Sequence, residues 1–304
     1  MRYEKGFKLA LATAVFSGVA VFLNSLVVKA VGDALVFTTV KNLGVAIIIG
    51  VVLGARSFKR QIDWKRIDKK DWIRLLMIGV IGGSLPFYLF FKGLMLASPV
   101  QAALIHKTLI FWVALYAVPF LKERISAWQW LALLGIFGSN FLIGGLPSFG
   151  GWGVGETMIL GATILWSIEN IIAKAVLKRV EADVVVGARM ILGSIILLLA
   201  VAGSGKLGLV MRLNGAQWLM TLASVGLLSG YVMSWYRALK LAPVTMVATV
   251  LCLATVITNG LTAVFITHSL NTELIYQAIL LVIFSAVFVR EARKDARIVA
   301  VRQV

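Results

Sequence analysis

The feature that most constrains the fold of this chain is a unit of five long apolar segments that occurs twice along its 304 residues. Each segment is long enough to cross a bilayer as a helix, which takes about 20 residues. Because lipid offers backbone polar groups no partner, we expect helices rather than strands. An odd number of spans inserts the second unit upside down relative to the first. Inverted repeats are typical of secondary transporters, which hold substrate near the midplane between the halves.

The predicted architecture is therefore an all-α integral membrane protein with ten transmembrane helices in two inverted five-helix repeats. The spans lie at roughly 7–28, 34–54, 73–97, 99–121, 127–146, 156–177, 183–203, 216–239, 243–267 and 274–290. Residues 1–146 are predicted to form the first repeat, 147–155 a Gly-rich outer linker, 156–290 the second repeat and 291–304 a basic cytoplasmic tail. Little sequence lies outside the spans, so we expect neither a soluble catalytic domain nor an enzyme.

Composition agrees with a membrane protein, since 60% of the residues are hydrophobic and the mean hydropathy is +0.95. The first span has basic flanks at Arg2, Lys5 and Lys8 but no convincing small-residue cleavage site. We therefore expect a retained helix rather than a removed signal peptide. Cys252 is the only cysteine in the sequence, which excludes an internal disulfide and a cluster of metal-binding thiolates.

The net charge of +17 is distributed unevenly between the two ends of the predicted spans. With the N-terminus in the cytoplasm, 22 of the 30 Lys and Arg residues fall at cytoplasmic ends, and few, Lys206 and Arg212 among them, fall in outer loops. Cytoplasmic loops carry such an excess, so we expect an N-in, C-in orientation in a bacterial or archaeal inner membrane. The basic loop 55–72 is expected to contact anionic lipid head groups rather than nucleic acid. A monomer and a homodimer are both compatible with the sequence.

The two halves also match residue by residue. In the third span of each half, two sets align at one constant offset: Ser84, Tyr88, Phe91 and Lys92 with Ser229, Met233, Tyr236 and Arg237. Other matching pairs are Ala12–Ser17 with Ala162–Ser167, Lys41 with Arg189, and Leu96–Val100 with Leu241–Val244. Gly79-x3-Gly83 and Gly226-x3-Gly230 have the small-residue spacing that lets helices pack closely in lipid. Because these matches occur in the same order, the sequence predicts an internal duplication.

The chain resembles the EamA-type transporters of the drug/metabolite transporter superfamily. The resemblance rests on the two five-helix halves, the Ala97-Ser98-Pro99-Val100 turn and the Lys122-Glu123-Arg124-Ile125-Ser126 loop, and it covers nearly the whole chain. The second half departs from the pattern, because Thr267-His268-Ser269 stands where a second acidic–basic loop is often found. The family includes exporters of amino acids and other small metabolites. The resemblance therefore implies transport and leaves the substrate open.

Ionisable residues deep inside predicted spans are candidate functional residues, because a charge in lipid is costly. In the sixth span, residues at three- and four-residue spacing form one stripe: Thr163, Trp166, Glu169, Asn170 and Lys174. Glu169 is the only carboxylate near mid-span, and it is a candidate for carrying a proton or for binding a substrate amino group. The alternative is a structural ion pair with Lys174 or with a cation of another helix.

Three lysines of the first half, Lys41, Lys92 and Lys107, are candidates for contacting a carboxylate or phosphate of the substrate. The alternatives are ties between helices and snorkelling toward the head groups. His106 adjoins Lys107 and is a candidate for proton coupling, since imidazole titrates near neutral pH. Adjacent residues of a helix point about 100° apart, so only one of these two is expected to face a cavity. For Arg189, near the cytoplasmic end of its span, a structural role is favoured.

Aromatic residues on the same stripes complete the predicted substrate site, as an apolar wall with a few polar groups. The full set of substrate-binding candidates is Lys41, Tyr88, Lys92, Lys107, Trp166, Glu169, Asn170 and Tyr236, with Glu169 and His106 as candidates for proton coupling. For the two tyrosines the alternative is anchoring at the membrane interface. A zwitterionic amino acid would fit this set, with its carboxylate on a lysine and its ammonium on Glu169. Neither a cofactor nor a metal is expected.

Competing functions are less consistent with the sequence. A phosphate-binding loop of the Gly-x4-Gly-Lys-Ser/Thr type is missing from the sequence, so direct coupling to ATP is not expected. A channel would need a selectivity filter or rings of charge, and an intramembrane enzyme would need a nucleophile–base or metal constellation. A scaffold would have no use for Lys41, Lys107 and Glu169 in the bilayer. We therefore predict a secondary transporter that exports a small polar metabolite, with an ion or solute channel as the alternative.

Overall fold

The computed structural model describes residues 2–97, 99–140 and 152–301, and within these ranges the chain folds as a bundle of helices. Some predicted features lie outside the described residues. These are Ser98 in the turn before the fourth span, the end of the fifth span at 141–146, most of the outer linker at 147–151, and residues 302–304 of the basic tail.

Apart from the short helices Trp64–Arg66 and Leu207–Met211, the described helices group into ten rods in chain order, five in each half. The first half contains α1 (Arg2–Val31), α2 (Ala34–Phe58), α3 (Lys69–Gly83 and Leu85–Leu96), α4 (Pro99–Lys107, Leu109–Tyr116 and Ala117–Leu121) and α5 (Ala127–Gly138). The second half contains α6 (Val154–Val176), α7 (Ala182–Gly187, Ala188–Leu192 and Gly193–Gly203), α8 (Gly215–Leu241), α9 (Val244–Leu251, Ala254–Thr262 and Ala263–Thr267) and α10 (Thr272–Val301). Nine of these rods are long and apolar enough to cross a membrane, and α5 is a shorter apolar helix of 12 described residues.

The internal duplication is visible in the local backbone of α4 and α9. Each ends in a π-helical segment of five residues, followed by a non-glycine residue in the left-handed region: Lys122 with φ 57° and His268 with φ 50°. The N–H of Glu123 then bonds the Ala117 carbonyl, and the N–H of Ser269 bonds the Ala263 carbonyl, both at 3.2 Å. A left-handed residue that ends a helix turns the chain and satisfies a free carbonyl. The chain therefore makes the same turn after the fourth helix of each half.

Gly83 lets α3 and α7 touch backbone to backbone. A Cβ on Gly83 would lie 1.9 Å from the carbonyl oxygen of Arg189, and one on Gly193 would lie 2.5 Å from the Gly83 carbonyl carbon. The chain then breaks at Ser84, where φ is −125° and ψ is −79°, before the second part of α3 begins. The predicted Gly79-x3-Gly83 spacing thus produces close contact, as small residues do in membrane helices. In the second half, Gly230 accommodates a Phe16 ring.

At one end of the bundle, which we call the basic end, α1, α3, α5, α7 and α9 begin and most Lys and Arg residues lie. Here the buried Asp183 accepts hydrogen bonds from Arg56 and from Arg237, the second at 3.0 Å. Lys240 pairs with Glu181 at 2.8 Å. These ion pairs tie the first turn of α7 to the ends of α2 and α8.

The Glu123 carboxylate links the two repeats at the same basic end. It accepts hydrogen bonds from the backbone N–H of Val244 at 2.8 Å, from the N–H of Thr245 at 3.2 Å and from the Thr245 hydroxyl at 2.7 Å. The first N–H groups of a helix have no partner within the helix, and an anion is favoured there. Glu123 of the first repeat therefore caps α9 of the second.

The opposite end is held by fewer contacts among the described residues. Lys206 donates to Asp33 at 2.6 Å, and Gln217 donates to the carbonyl of Ala30 at 2.7 Å. Partial burial raises the pKa of Asp33, but the bonds from Lys206 and from the first N–H groups of α2 outweigh it, so this pKa lies below its ordinary value. The Asp33–Lys206 pair joins the start of α2 to the segment that follows α7.

Candidate functional site

A cavity of about 100 Å³ lies between the two repeats, where α1 to α4 face α6 to α9. Its polar lining consists of Ser17, Asn24, Lys41, His106, Glu169, Asn170 and Arg189. Its aromatic lining consists of Phe87, Phe90, Phe91, Trp166 and Tyr231. Apolar walls with a few placed polar groups are what a site for a small molecule requires.

The Glu169 carboxylate on α6 is fully buried, with no exposed surface. It accepts a hydrogen bond from the Tyr236 hydroxyl on α8, and its second oxygen lies 3.6 Å from the Arg189 guanidinium on α7. Arg189 also donates to the Tyr236 oxygen at 2.9 Å. Opposite charges this close in a low dielectric attract strongly. The Glu169–Arg189 ion pair and the Tyr236 phenol between them thus join α6, α7 and α8 of the second repeat.

Lys174 does not pair with Glu169. Its ammonium donates to the backbone carbonyls of Leu239 and Ala242, the second at 2.6 Å. A cation is favoured at the C-terminus of a helix, where carbonyls lack partners. Of the two structural partners that the sequence offered for Glu169, the structure therefore has the cation of another helix, Arg189. Arg189 itself lies in the cavity wall rather than only bracing the helices.

Lys41 on α2 is fully buried and enclosed by phenyl rings. Its Nζ lies 4.0 Å from the ring centre of Phe91, 4.8 Å from that of Phe37 and 5.3 Å from that of Phe87. Among the described residues, Nζ has no hydrogen-bond partner. The next residue, Asn42, donates to the Gly83 carbonyl at 3.0 Å and fixes this part of α2 against α3.

Lys41 and Arg189 are equivalent residues of the two repeats, and they differ in how their charge is balanced. Each lies over the aromatic residue at the same position of the third helix of its half, Lys41 over Phe91 and Arg189 over Tyr236. Among the described residues, Arg189 has a carboxylate beside it, that of Glu169, and Lys41 has none. The matching position for Glu169 in the first repeat is Val19, by the alignment of the first helices. One buried cation is therefore paired and the other is not.

His106 and Trp166 form a second wall of the cavity. The His106 Nδ1 lies 3.4 Å from the Thr163 hydroxyl, and its ring centre lies 4.8 Å from that of Phe90 and 5.5 Å from that of Trp166. The Trp166 indole donates to the Gly82 carbonyl at 3.2 Å. These contacts orient the imidazole toward the space between the repeats.

The structure brings together most of the predicted site. Lys41, His106, Trp166, Glu169 and Asn170 all line the cavity, and Tyr236 lies behind Glu169. Asn170 accepts a hydrogen bond from the Trp235 indole at 3.1 Å, which holds α6 against α8.

Three predicted residues, Tyr88, Lys92 and Lys107, are not among the described residues that line this cavity. Tyr88 packs against a cluster that contains Leu197, and Lys107 is half-buried at the end of the first segment of α4. The cavity is lined instead by Phe87, Phe91 and His106, each the preceding neighbour of one of the three and therefore about 100° around its helix. The substrate roles assigned to Tyr88, Lys92 and Lys107 stay predictions.

Comparison with protein families matches the model of the EamA-like transporter family to residues 4–145 and again to residues 153–290. The chain belongs to the EamA-like transporter family. The predicted resemblance is confirmed, and the protein is a multi-pass integral membrane protein and a membrane transporter of the drug/metabolite transporter type.

The EamA-like fold is also found among solved structures. One crystal structure of a protein superposes with a TM-score of 0.73, covering 96% of this chain and 98% of its own, at 17% sequence identity. At this identity the likeness is evidence for the fold alone. The comparison with curated proteins found no match, so the substrate of this EamA-like chain has to be argued from its own residues.

Some aromatic residues of the cavity wall were not predicted from the sequence, namely Phe87, Phe90 and Tyr231. Pro86 is a sequence signal for the break at Ser84, because proline is favoured in the first turn of a helix. It does not indicate which side chain after the break faces the cavity. For Tyr231 the sequence carries no comparable signal, because aromatic residues are common throughout the spans.

Proposed function

We propose that this chain is a secondary transporter that exports a small polar metabolite, such as an amino acid or an organic anion, by alternating access. The observation that carries the proposal is the cavity between the two repeats, lined by the buried charges of Lys41, Glu169 and Arg189. Ionisable groups are costly inside a membrane and are typical of transport pathways. Their position between inverted halves is where secondary transporters hold substrate.

The proposed topology has ten spans with both termini in the cytoplasm of a bacterial or archaeal cell. Nine of the ten proposed spans are the long apolar helices, and the remaining one is the predicted fifth span, whose described part contains α5 (Ala127–Gly138). The excess of Lys and Arg at the basic end supports placing that end in the cytoplasm. The loop 55–72 would then face anionic lipid head groups, with Trp64 and Trp72 stacked at 6.4 Å in it.

Alternating access would require the two ends of the bundle to open in turn. Opening the basic end would separate Asp183 from Arg56, and Glu123 from the start of α9. Opening the opposite end would separate Asp33 from Lys206. The cavity lies between these two sets of contacts, so rocking of one repeat against the other would expose it to one side at a time.

Proton coupling is proposed at Glu169 and His106. Both line the cavity, and Glu169 is held by groups that can share a proton or a charge with it. If Glu169 took up a proton, Arg189 would lose its carboxylate partner and become available to an anion. The pairing of Glu169 with Arg189 thus gives a route by which proton binding and substrate binding could affect each other.

A reconstituted system tests the proposal. Purified protein in proteoliposomes is expected to exchange labelled amino acids or organic anions by counterflow, and Glu169→Gln is expected to reduce the rate at least tenfold. Glu273→Gln is the matched control, because Glu273 is exposed at the start of α10. Normal exchange by Glu169→Gln would refute the central role of this residue. Single-channel currents that correspond to a rate of ion flow far above the turnover rate of a carrier would favour the alternative function, a channel.

A further inference from the structure

We infer that the cavity binds an organic monoanion through Lys41 and does not bind the ammonium group of a zwitterion. The inference rests on the proposed transport function and specifies the charge and shape of the substrate. It follows from the different environments of the two buried cations, Lys41 and Arg189, and from the composition of the cavity wall.

The charge of Lys41 is incompletely balanced by its surroundings. Three phenyl rings lie within 5.3 Å of Nζ and provide cation–π contacts. Removing an ammonium from water is unfavourable unless the charge is paired and hydrogen-bonded, and Nζ lacks a hydrogen-bond acceptor among the described residues. A carboxylate that enters the cavity would supply that acceptor and form a charge-assisted hydrogen bond.

The charge of Glu169 is already balanced by Arg189. One carboxylate oxygen accepts a hydrogen bond from the Tyr236 hydroxyl, and the other, which has no hydrogen-bond partner among the described residues, lies 3.6 Å from the Arg189 guanidinium. A second cation at this place would compete with Arg189 and would be repelled by it. Because Glu169 and Arg189 balance each other, their ordinary ionised forms and that of Lys41 leave the cavity with one net positive charge. A monoanion neutralises that charge, whereas a zwitterion brings a cation with it.

The rest of the wall favours an apolar body. Phe87, Phe90, Phe91 and Trp166 line the cavity, together with the aliphatic side chain of Leu109. Aromatic pairs prefer offset or edge-to-face geometry, and these rings already lie at 5.3–5.5 Å from one another in such arrangements. The volume of about 100 Å³ limits the occupant to a small molecule. A small aromatic or aliphatic monocarboxylate meets all three conditions.

Ligand binding to the purified full-length protein in detergent tests the inference without requiring transport. The probes are benzoate, butyrate, neutral benzamide and zwitterionic phenylalanine, and the readout is the shift in thermal unfolding as each probe is titrated. The variants are Lys41→Met, which removes the charge, and Lys41→Arg, which keeps it. Lys29→Met is the matched control, because Lys29 is exposed at the opposite end of α1.

We expect at least tenfold tighter binding of benzoate or butyrate than of benzamide and phenylalanine. Lys41→Met should weaken carboxylate binding at least tenfold, whereas Lys41→Arg and Lys29→Met should retain it. Equal binding of benzamide, tighter binding of phenylalanine, or failure of both carboxylates to bind at millimolar concentration would overturn the inference. If Lys41→Met does not fold, the probe series on the unaltered protein decides.

Counterflow in proteoliposomes separates this inference from the proposed function. Carboxylate binding that depends on Lys41 but is accompanied by no exchange of any substrate supports the inference and refutes the transporter. Exchange that is unchanged in Lys41→Met supports the transporter and refutes the inference.

Discussion

The pair of Glu169 and Arg189 gives the sharpest quantitative prediction. Their charged atoms are 3.6 Å apart, and both side chains are buried, with 0% and 4% exposure. At an effective dielectric of about 20, this distance gives an attraction of about 4–5 kcal/mol. Removing one partner leaves an uncompensated buried charge, which costs about 3–5 kcal/mol. Glu169→Gln and Arg189→Met should each destabilise the protein toward the lower end of that range, because the Tyr236 hydroxyl still bonds the remaining group.

A double-mutant cycle isolates the interaction itself. The combination of Glu169→Gln with Arg189→Met should be less destabilising than the sum of the two single changes, by about 2–4 kcal/mol. The free energy of unfolding would be measured by titrating the protein from mild detergent into SDS and following tryptophan fluorescence. Asp63 with Arg66 is the matched control cycle, since this pair is 3.1 Å apart but 55% and 82% exposed, and exposed pairs contribute below about 1 kcal/mol. A coupling below about 0.5 kcal/mol for the buried pair would mean that the two charges act independently, and the reasoning would fail.

Three further predictions concern the packing and the ends of the bundle. Gly83→Ala places a Cβ 1.9 Å from a backbone oxygen of α7 and should abolish folded protein in membranes, whereas Gly226→Ala, with open space around it, should be tolerated. Glu123→Gln should destabilise α9 by about 1–2 kcal/mol, because charge-assisted caps weaken when the acceptor becomes neutral, and SDS titration measures the loss. Asp33→Asn should remove a stabilisation below about 1 kcal/mol that is present above pH 4 and disappears as the carboxylate is protonated.

The sign of the pH effect follows from the direction in which the pKa of the Asp33 carboxyl is shifted in the folded protein. Its pKa in the folded protein lies below its ordinary value of 3.8, so its ionised form stabilises the fold above that value, and the contribution is lost as pH falls through the lower folded pKa. The difference in unfolding midpoint between the unaltered protein and Asp33→Asn should therefore shrink between pH 5 and pH 3. A difference that grows on acidification would contradict the Asp33–Lys206 pair. Normal yields of Gly83→Ala would contradict the close contact of α3 with α7. Unchanged stability of Glu123→Gln would contradict the cap on α9.

The membrane class and the repeated architecture could be predicted because they depend on long-range composition and on order along the chain. The partner of Glu169 could not, because a periodic pattern describes one helix at a time and Arg189 lies on another. Lys174 illustrates this limit. It is five residues after Glu169 and lies about 140° around the helix from it, whereas it lies on the same face as Asn170, four residues earlier. A rotation of about 100°, which is one residue along a helix, separates Tyr88 from the cavity-lining Phe87. No sequence pattern fixes the rotation of α3 after its break at Ser84.

The Glu123 cap has a consequence for how such a protein can evolve. Glu123 and Ser269 occupy the same place in the same turn of the two repeats, yet only Glu123 carries a carboxylate. An antiparallel dimer of identical five-helix subunits would carry the cap at both ends or at neither. Once two such subunits are joined in one gene, each copy mutates on its own. The contacts that hold the two ends of the bundle closed can then acquire different strengths. Fusion thereby makes a preferred resting conformation accessible to single amino-acid changes.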